Sequence, residues 1–250
     1  MAEKTGISWC DHTFNIAWGC FKISPGCTNC YADTLSARFG NDVWGKDKPR
    51  KTFGVKHWNE PLKWNKAAEK DGAKHKVFSS SMCDIFEDHP TITAEREKLW
   101  DLIRKTPNLI WQLLTKRADR IKDNLPEDWG NGWPNVWMGV SIENDDYVWR
   151  ADCLREVSAV VHFISYEPAL GPLNNLNLDH IEWLIYGGES GDGYRADEIE
   201  WAKSIKKLCE EKNTTFFYKQ ASGPRSGMNS NIEGIEYKHF PLYDISLVSK

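Results

Sequence analysis

The sequence contains no long apolar run and no secretion signal. Its hydrophobic stretches fall well short of the roughly 18 consecutive apolar residues that a membrane-spanning helix needs. The first residues also lack the charged, apolar and cleavage regions of a signal peptide. Low-complexity tracts and solenoid repeats are absent as well. We therefore expect a protein that does not cross a membrane and that resides in the cytoplasm.

The chain also lacks the usual patterns of zinc sites and disulfide frameworks. Its seven histidines show no ligand spacing, and it has one C-x-x-C pair where zinc sites commonly use two. The seven cysteines are odd in number and accompany no secretion signal, which argues against disulfides. Cys83, Cys153 and Cys209 stand singly, as small buried hydrophobic residues often do.

Three cysteines form one compact motif. Cys20, Cys27 and Cys30 have the spacing C-x6-C-x2-C, and they follow a strand-like run at residues 14–19. Three thiolates can bind three irons of a 4Fe–4S cluster and leave the fourth iron open to a small molecule, whereas most such clusters take four protein ligands. A tetrahedral zinc site with Cys10 as the fourth ligand is the alternative.

The charge of the chain is uneven. The net charge is −4, yet residues 41–76 carry ten Lys and Arg against five acidic residues, a net charge of +5. A basic segment beside the cysteine motif can attract a phosphate backbone, and a solvated flexible surface is the alternative interpretation. Thirteen Trp residues are present. We expect most of them in the core and a few available to stack on bases.

Apolar runs alternate with helical stretches along the chain. The helical stretches are residues 31–39, 94–105, 145–156 and 198–212, and the strand-like runs are residues 14–19, 77–81, 109–114, 136–140, 160–165, 183–186 and 215–218. Strands that are apolar on both faces indicate a parallel sheet covered by helices. The pattern predicts an α/β fold, a partial or full parallel (β/α) barrel, with an open doubly wound sheet as the alternative. We expect one domain over residues 1–250, with a basic insertion at about 40–76.

Polar residues follow almost every strand-like run. Because the carboxyl ends of parallel strands meet at one edge of the sheet, we expect these residues to converge there with the cysteine motif. In chain order they are Ser80, Ser81, Lys116, Arg117, Ser141, Glu143, Glu167, Glu189 and Lys219.

A three-cysteine loop after the first strand of such a barrel resembles the radical S-adenosylmethionine superfamily. The common superfamily spacing is C-x3-C-x2-C with an aromatic residue before the last cysteine, whereas here the first gap is six residues and Asn29 holds the aromatic position. The resemblance implies that a 4Fe–4S cluster and S-adenosylmethionine together generate a 5′-deoxyadenosyl radical. It also implies an external electron donor.

A closer resemblance covers nearly the whole chain. It rests on ISW at 7–9, the cysteine segment at 19–32, LTKR at 114–117, GVSIE at 139–143, SYEP at 165–168, GGESG at 187–191 and FFYKQ at 216–220. These motifs are similar to a phage-associated, three-cysteine family of radical S-adenosylmethionine-like proteins. That family is distantly similar to spore photoproduct lyase, which acts on thymine in DNA. A phage-encoded member would work in the host cytoplasm.

The resemblance assigns expected roles to the polar strand ends. We expect S-adenosylmethionine to contact Ser80, Ser81, Lys116, Arg117, Ser141 and Glu143, and we expect catalytic roles for Glu167, Glu189 and Lys219. The expected function is modification or rearrangement of a thymidine-type base, already hypermodified, in phage DNA, and isomerase, lyase and transferase reactions all fit it. The alternative is a non-catalytic nucleic-acid-binding protein in which zinc or an iron–sulfur cluster is only structural.

Overall fold

The computed structural model describes residues 5–242, and its framework is a sheet of seven parallel strands. The strands are β1 (His12–Phe14), β2 (His75–Ser79), β3 (Leu109–Thr115), β4 (Val136–Ser141), β5 (Val161–Tyr166), β6 (Trp183–Gly187) and β7 (Thr215–Gln220). The first strand differs from the predicted run at 14–19. The chain leaves the sheet at Asn15, directly after β1. The side-chain oxygen of Asn15 accepts a hydrogen bond from the backbone N–H of Met82 at 2.7 Å.

The strands pair in sequence order from β1 to β7. A doubly wound sheet would reverse its strand order at a switch point, whereas an unbroken order belongs to a β/α barrel. β1 and β7 are the two edges of the sheet, so the barrel is partial. The prediction of a partial parallel barrel is confirmed, and the doubly wound alternative is excluded.

Within residues 5–242, six α-helices connect or flank the strands. They are α1 (Tyr31–Arg38), α2 (Val55–Trp58), α3 (Glu60–Asp71), α4 (Pro90–Arg104), α5 (Trp149–Arg155) and α6 (Ile199–Lys212). α3 lies inside the segment 40–76 and buries Trp64 and Ala68 in the layer between sheet and helices. The helix expected from residue 145 starts later, because Asp145–Tyr147 form a 3-10 turn. No helix in the described part of the chain is long and apolar enough to cross a membrane.

Alternating side chains of each strand build two separate apolar layers. In β5, Ile164 and Tyr166 join the outer layer beneath the helices, whereas Val161 and Phe163 point into the barrel interior. The interior is tightly filled: a Cβ on Gly139 would lie 2.4 Å from the Phe163 ring. Aromatic packing thus fills the lower interior and leaves open space only towards the carboxyl ends of the strands.

The last described residues close the amino end of this interior. The indole N–H of Trp183, at the start of β6, donates to the backbone oxygen of His239 at 3.0 Å. The rings of Trp183 and Phe240 are 5.3 Å apart, and Lys238 forms an antiparallel bridge with Phe217 of β7. The interior is therefore sealed at one end, and the polar strand ends occupy the other.

Candidate active site

The carboxyl ends of the strands surround a cavity of about 420 Å³. Trp9 and Phe78 form part of its apolar wall, with ring centroids 4.5 Å apart. Residues two apart on a strand point the same way, so the polar residues beyond the inward-facing apolar ones also face inward. Eight of the polar strand-end residues singled out from the sequence line this cavity: Ser80, Ser81, Lys116, Arg117, Ser141, Glu167, Glu189 and Lys219.

Cys20, Cys27 and Cys30 line the same cavity. Cys27 ends a 3-10 turn (Pro25–Cys27), and Cys30 directly precedes α1. Within residues 5–242, no three side chains of His, Cys, Asp or Glu are arranged to hold a single metal ion. In a 4Fe–4S cluster each thiolate binds a different iron, so the ligands surround a larger core. Three thiols around one cavity therefore fit a cluster better than a single zinc ion.

The other nearby cysteines occupy different positions. Cys10 belongs to the interior apolar cluster with Trp9 and does not contribute to the cavity lining. Cys83 is buried but does border the cavity. The sequence predicts only that Cys83 is a buried hydrophobic residue, because its spacing in the chain gives no signal of its place beside the motif.

The first half of the cysteine loop rests on Glu143, which is fully buried. Ser24 donates to Glu143 Oε1 at 2.7 Å, and Arg150 donates to Oε2 at 2.9 Å. Gly26 lies directly against this carboxylate, because a Cβ there would be 2.5 Å from Glu143 Oε1. Contact of Glu143 with a cofactor stays a prediction, whereas its support of the loop is observed.

The second half of the loop is held by Glu189 and Arg195. Glu189 Oε2 accepts hydrogen bonds from the Asn29 side chain at 3.0 Å and from the Arg195 backbone at 2.8 Å, and an Arg195–Glu189 ion pair adds to them. Arg195 also donates to the backbone oxygen of Pro25 at 3.0 Å. Burial alone would raise the pKa of Glu189, but these hydrogen bonds outweigh it and keep the pKa below its ordinary value.

Arg117 connects the loop to β3. Its Nη1 donates to Asp84 at 2.9 Å and to Cys20 Sγ at 3.5 Å, and its Nη2 donates to the Phe21 backbone oxygen at 3.1 Å. Asp84 also accepts from the hydroxyl of Thr115 at 2.7 Å. Burial raises the pKa of the Cys20 thiol, whereas the charge of Arg117 works in the opposite direction and favours the thiolate.

A second buried ion pair fixes the segment 43–51 beside the cysteine loop. We call this segment the strap, and its Arg50 pairs with Glu87, which lies just before α4. Arg50 and Glu87 form a two-pronged pair at 2.9 and 2.6 Å, and both side chains are 0% exposed. The strap meets the loop where the Gly45 N–H donates to the Cys20 backbone oxygen at 2.9 Å. Gly19 is required at this contact, since it has a φ of +116° and a Cβ there would lie 2.4 Å from the Val43 oxygen.

The wall built by β5 and β7 carries an ion pair that faces the cavity. Glu167 and Lys219 are in direct contact, and their side chains are 22% and 13% exposed. A Cβ on Gly187 of β6 would already lie 3.1 Å from Glu167, so the neighbouring strand gives this carboxylate little spare room. On the opposite wall, Lys116 Nζ lies 3.9 Å from Glu143, too far for a hydrogen bond. The Lys116 ammonium group is therefore not tied to that carboxylate by a hydrogen bond.

A family profile described as "Protein of unknown function (DUF5131)" matches residues 4–238. The chain belongs to the DUF5131 family. A comparison with curated protein sequences gives no match for this DUF5131 chain.

Two solved structures of spore photoproduct lyase are similar to the DUF5131 chain. One is a double mutant with bound AdoMet and dinucleoside spore photoproduct; it is 13% identical, with a TM-score of 0.47, over 81% of this chain and 62% of that one. The other is a single mutant, 12% identical, with a TM-score of 0.46, over 79% of this chain and 60% of that one. The chain thus spans about three fifths of the length of these lyases.

Several residues that shape the DUF5131 site were missed by the sequence analysis. They are Asn29, Arg50, Glu87, Arg150 and Arg195, which form ion pairs and hydrogen bonds around the loop. Arg150 lies in the helical stretch predicted at 145–156, where its position gives no sign of contact with Glu143. Arg50 and Arg195 carried no signal, because each lies in a segment with no regular pattern.

We expect Glu87→Gln to destabilise the protein by about 3–5 kcal/mol, since the neutral amide leaves the Arg50 guanidinium buried without its counter-charge. The matched control is Asp101→Asn, which breaks an exposed pair with Arg104 and should change stability little. Chemical denaturation of both variants measures the difference. Equal stabilities for the two variants would show that the buried pair does not support the fold.

Proposed function

We propose that this DUF5131 chain is a radical S-adenosylmethionine enzyme, in which Cys20, Cys27 and Cys30 bind a 4Fe–4S cluster. The observation that carries the proposal is the position of the cysteine loop. Three thiols line one cavity at the carboxyl ends of a partial parallel barrel, where enzymes of such folds have their active sites. In the superfamily that the sequence resembles, the cluster and S-adenosylmethionine supply a 5′-deoxyadenosyl radical that removes a hydrogen atom from the substrate.

The residues of the cavity wall would bind and orient the cofactor. Lys116 offers an ammonium group for a carboxylate, and Ser80, Ser81 and Ser141 offer hydroxyl or backbone groups. Ser80 has a φ of +72°, an uncommon conformation for a serine, and its N–H donates to the Phe14 backbone oxygen at 2.8 Å. Arg117 would stabilise the Cys20 thiolate through its hydrogen bond to Sγ.

The pair of Glu167 and Lys219 would serve the substrate. Side by side, a carboxylate and an ammonium offer one acceptor and one donor to a planar ligand. An imide edge, such as that of thymine, presents the complementary N–H and carbonyl oxygen. The same two groups can hold or pass a proton at the substrate. Glu189 is engaged by Arg195 and Asn29, so we assign it to positioning the cysteine loop.

The proposed substrate is a thymidine-type base, already modified, in phage DNA. The sequence resemblance and the basic segment 41–76 support this substrate class. The structure divides that segment: Trp44 of the strap lines the cavity, whereas α3 packs on the outer face of the sheet. Hydrogens on carbon substituents of a base are too weakly acidic for an ordinary general base, which is where radical chemistry is useful. The base would have to be flipped out or single-stranded.

The second candidate function is non-catalytic nucleic-acid binding with a structural metal site. A structural site is closed by its ligands, whereas the three thiols of this chain line an open cavity that also contains an acid–base pair. The loop is moreover held by ion pairs of the protein itself. These contacts favour the enzyme.

We expect Cys20→Ala, Cys27→Ala and Cys30→Ala each to abolish iron binding, because each removes one ligand of the cluster. Cys10→Ala and Cys83→Ala are the controls, since they remove a buried thiol without removing a proposed ligand. Iron and sulfide content and absorbance near about 400 nm, measured after anaerobic reconstitution, give the result. Loss of iron in either control would overturn the three-ligand assignment.

We expect the reduced, reconstituted protein to cleave S-adenosylmethionine to 5′-deoxyadenosine and methionine, even without substrate. Lys116→Ala should weaken cofactor binding and slow cleavage without lowering the iron content, because this ammonium group faces the cavity. Chromatography of the products and calorimetry of the cofactor measure the two effects. An intact reduced cluster that binds no S-adenosylmethionine would refute the radical mechanism.

We expect phage DNA made with an active copy to differ in its nucleosides from DNA made with the Cys27→Ala variant. Mass spectrometry of the digested DNA detects the difference. DNA binding should also fall steeply with salt, because phosphate contacts release counterions. An unchanged nucleoside profile together with salt-insensitive binding would point to a small-molecule or protein substrate instead.

A further inference from the structure

A second concavity of about 360 Å³ lies on the other side of the cysteine loop. Phe21 and Ile23 of the loop form one wall, and the segment 147–150 at the start of α5 forms another. Lys116 and Arg117 line both this second pocket and the cavity beside the cysteines. The two sites are therefore neighbours that share a pair of cations.

The second pocket is rich in cations. Besides Lys116 and Arg117 it contains Arg120 and Arg150, against the two acidic residues Asp88 and Asp119. Lys116 Nζ lies 3.9 Å from the carboxylate of Glu143, and the Arg120 side chain is 34% exposed beside an Asp88 that is 80% exposed. These two cations keep hydrogen-bonding capacity for an anionic ligand.

Arg150 is a buried cation of the pocket lining. The residue is 1% exposed, and its Nη1 donates to Glu143 and to the Ser141 backbone oxygen at 2.9 and 2.7 Å. Its buried Nε, however, has no hydrogen-bond partner. Buried donors without a hydrogen-bond partner are rare in folded proteins, and this one belongs to a residue of the pocket lining.

Flat aromatic surfaces complete the pocket. The Arg150 guanidinium lies 4.3 Å from the Tyr147 ring and 5.8 Å from the Trp149 ring, and Arg117 lies 4.5 Å from the Phe21 ring. Trp149 is 40% exposed, so part of its ring is open to a ligand. Cations beside exposed rings are the features with which proteins hold single-stranded nucleic acid without reading its sequence.

We propose that this second pocket binds the nucleotide next to the reacting one on the substrate strand, with its phosphate on Lys116 and Arg120 and its base on Trp149. The inference rests on the proposed function. A base that enters the first cavity has left its stack, so the strand beside it needs its own support. The pocket is also of the size that holds a small ligand. An acidic electron-carrier protein, which would need a broader contact surface, is the competing occupant.

The test measures binding of a fluorescent, single-stranded oligothymidylate and of free thymidine to the intact protein at two salt concentrations. Trp149→Ala should weaken oligonucleotide binding roughly five- to a hundredfold, the loss of one base–aromatic stack, and should leave thymidine binding unchanged. Trp149→Phe should retain most of the affinity. Arg120→Ala should lower the salt slope by about 0.7, the value for one phosphate contact on a single strand.

The matched control for charge is Lys207→Ala, which removes an exposed cation on α6 and should leave the salt slope unchanged. If Trp149→Ala and Arg120→Ala both keep the wild-type affinity and the wild-type salt slope, the inference about the second pocket is overturned, whereas the proposed function is not. Normal oligonucleotide binding combined with slower reduction by a ferredoxin would also overturn it and assign the surface to an electron carrier. No oligonucleotide binding by the wild-type protein would refute both this inference and the DNA substrate.

Discussion

The placement of the cysteine loop depends on a group of buried charges. Arg50 and Glu87 are both fully buried, and Arg117 joins them to Asp84 and to Cys20. A buried charge is tolerated only when an opposite charge and hydrogen bonds compensate it, so each member of this group fixes the positions of the others. Because the group joins the strap, the segment before α4, the end of β3 and the loop, four separate parts of the chain have one mutual arrangement.

The barrel interior is apolar, whereas many of the residues at the carboxyl ends of the strands are polar. Side chains of the inward-facing set fill the lower interior with aromatic rings, and the last described residues seal its amino end. Beyond the strand ends the same inward direction is taken by carboxylates, cations and hydroxyls, which line an open cavity. Alternate residues of each strand point inward. The change from apolar to polar residues near the strand ends therefore separates the apolar core from the site.

Much of this arrangement follows from local sequence patterns. Runs that are apolar on both faces predicted the seven strands, and the rule that parallel strand ends meet predicted that Lys116, Glu167 and Lys219 share one site with the cysteines. The Arg50–Glu87 pair could not be predicted, because the two residues are 37 positions apart and neither lies in a recognisable motif. Arg195 could not be predicted as the partner of Glu189 either, because Arg195 lies in an irregular segment between β6 and α6. To predict which charged residues pair, one must know the path that the irregular segments take in the folded chain. The periodicity of apolar residues along the sequence gives no information on that path.

Ion pairs and hydrogen bonds within the protein hold the cysteine loop in position. Zinc fingers, by contrast, fold only when their metal binds. Ion pairs that hold the loop in position would let a cluster at this site, if the proposed function is correct, enter a chain that has already folded. Loss of such a cluster would then leave the fold intact and the site ready to be loaded again.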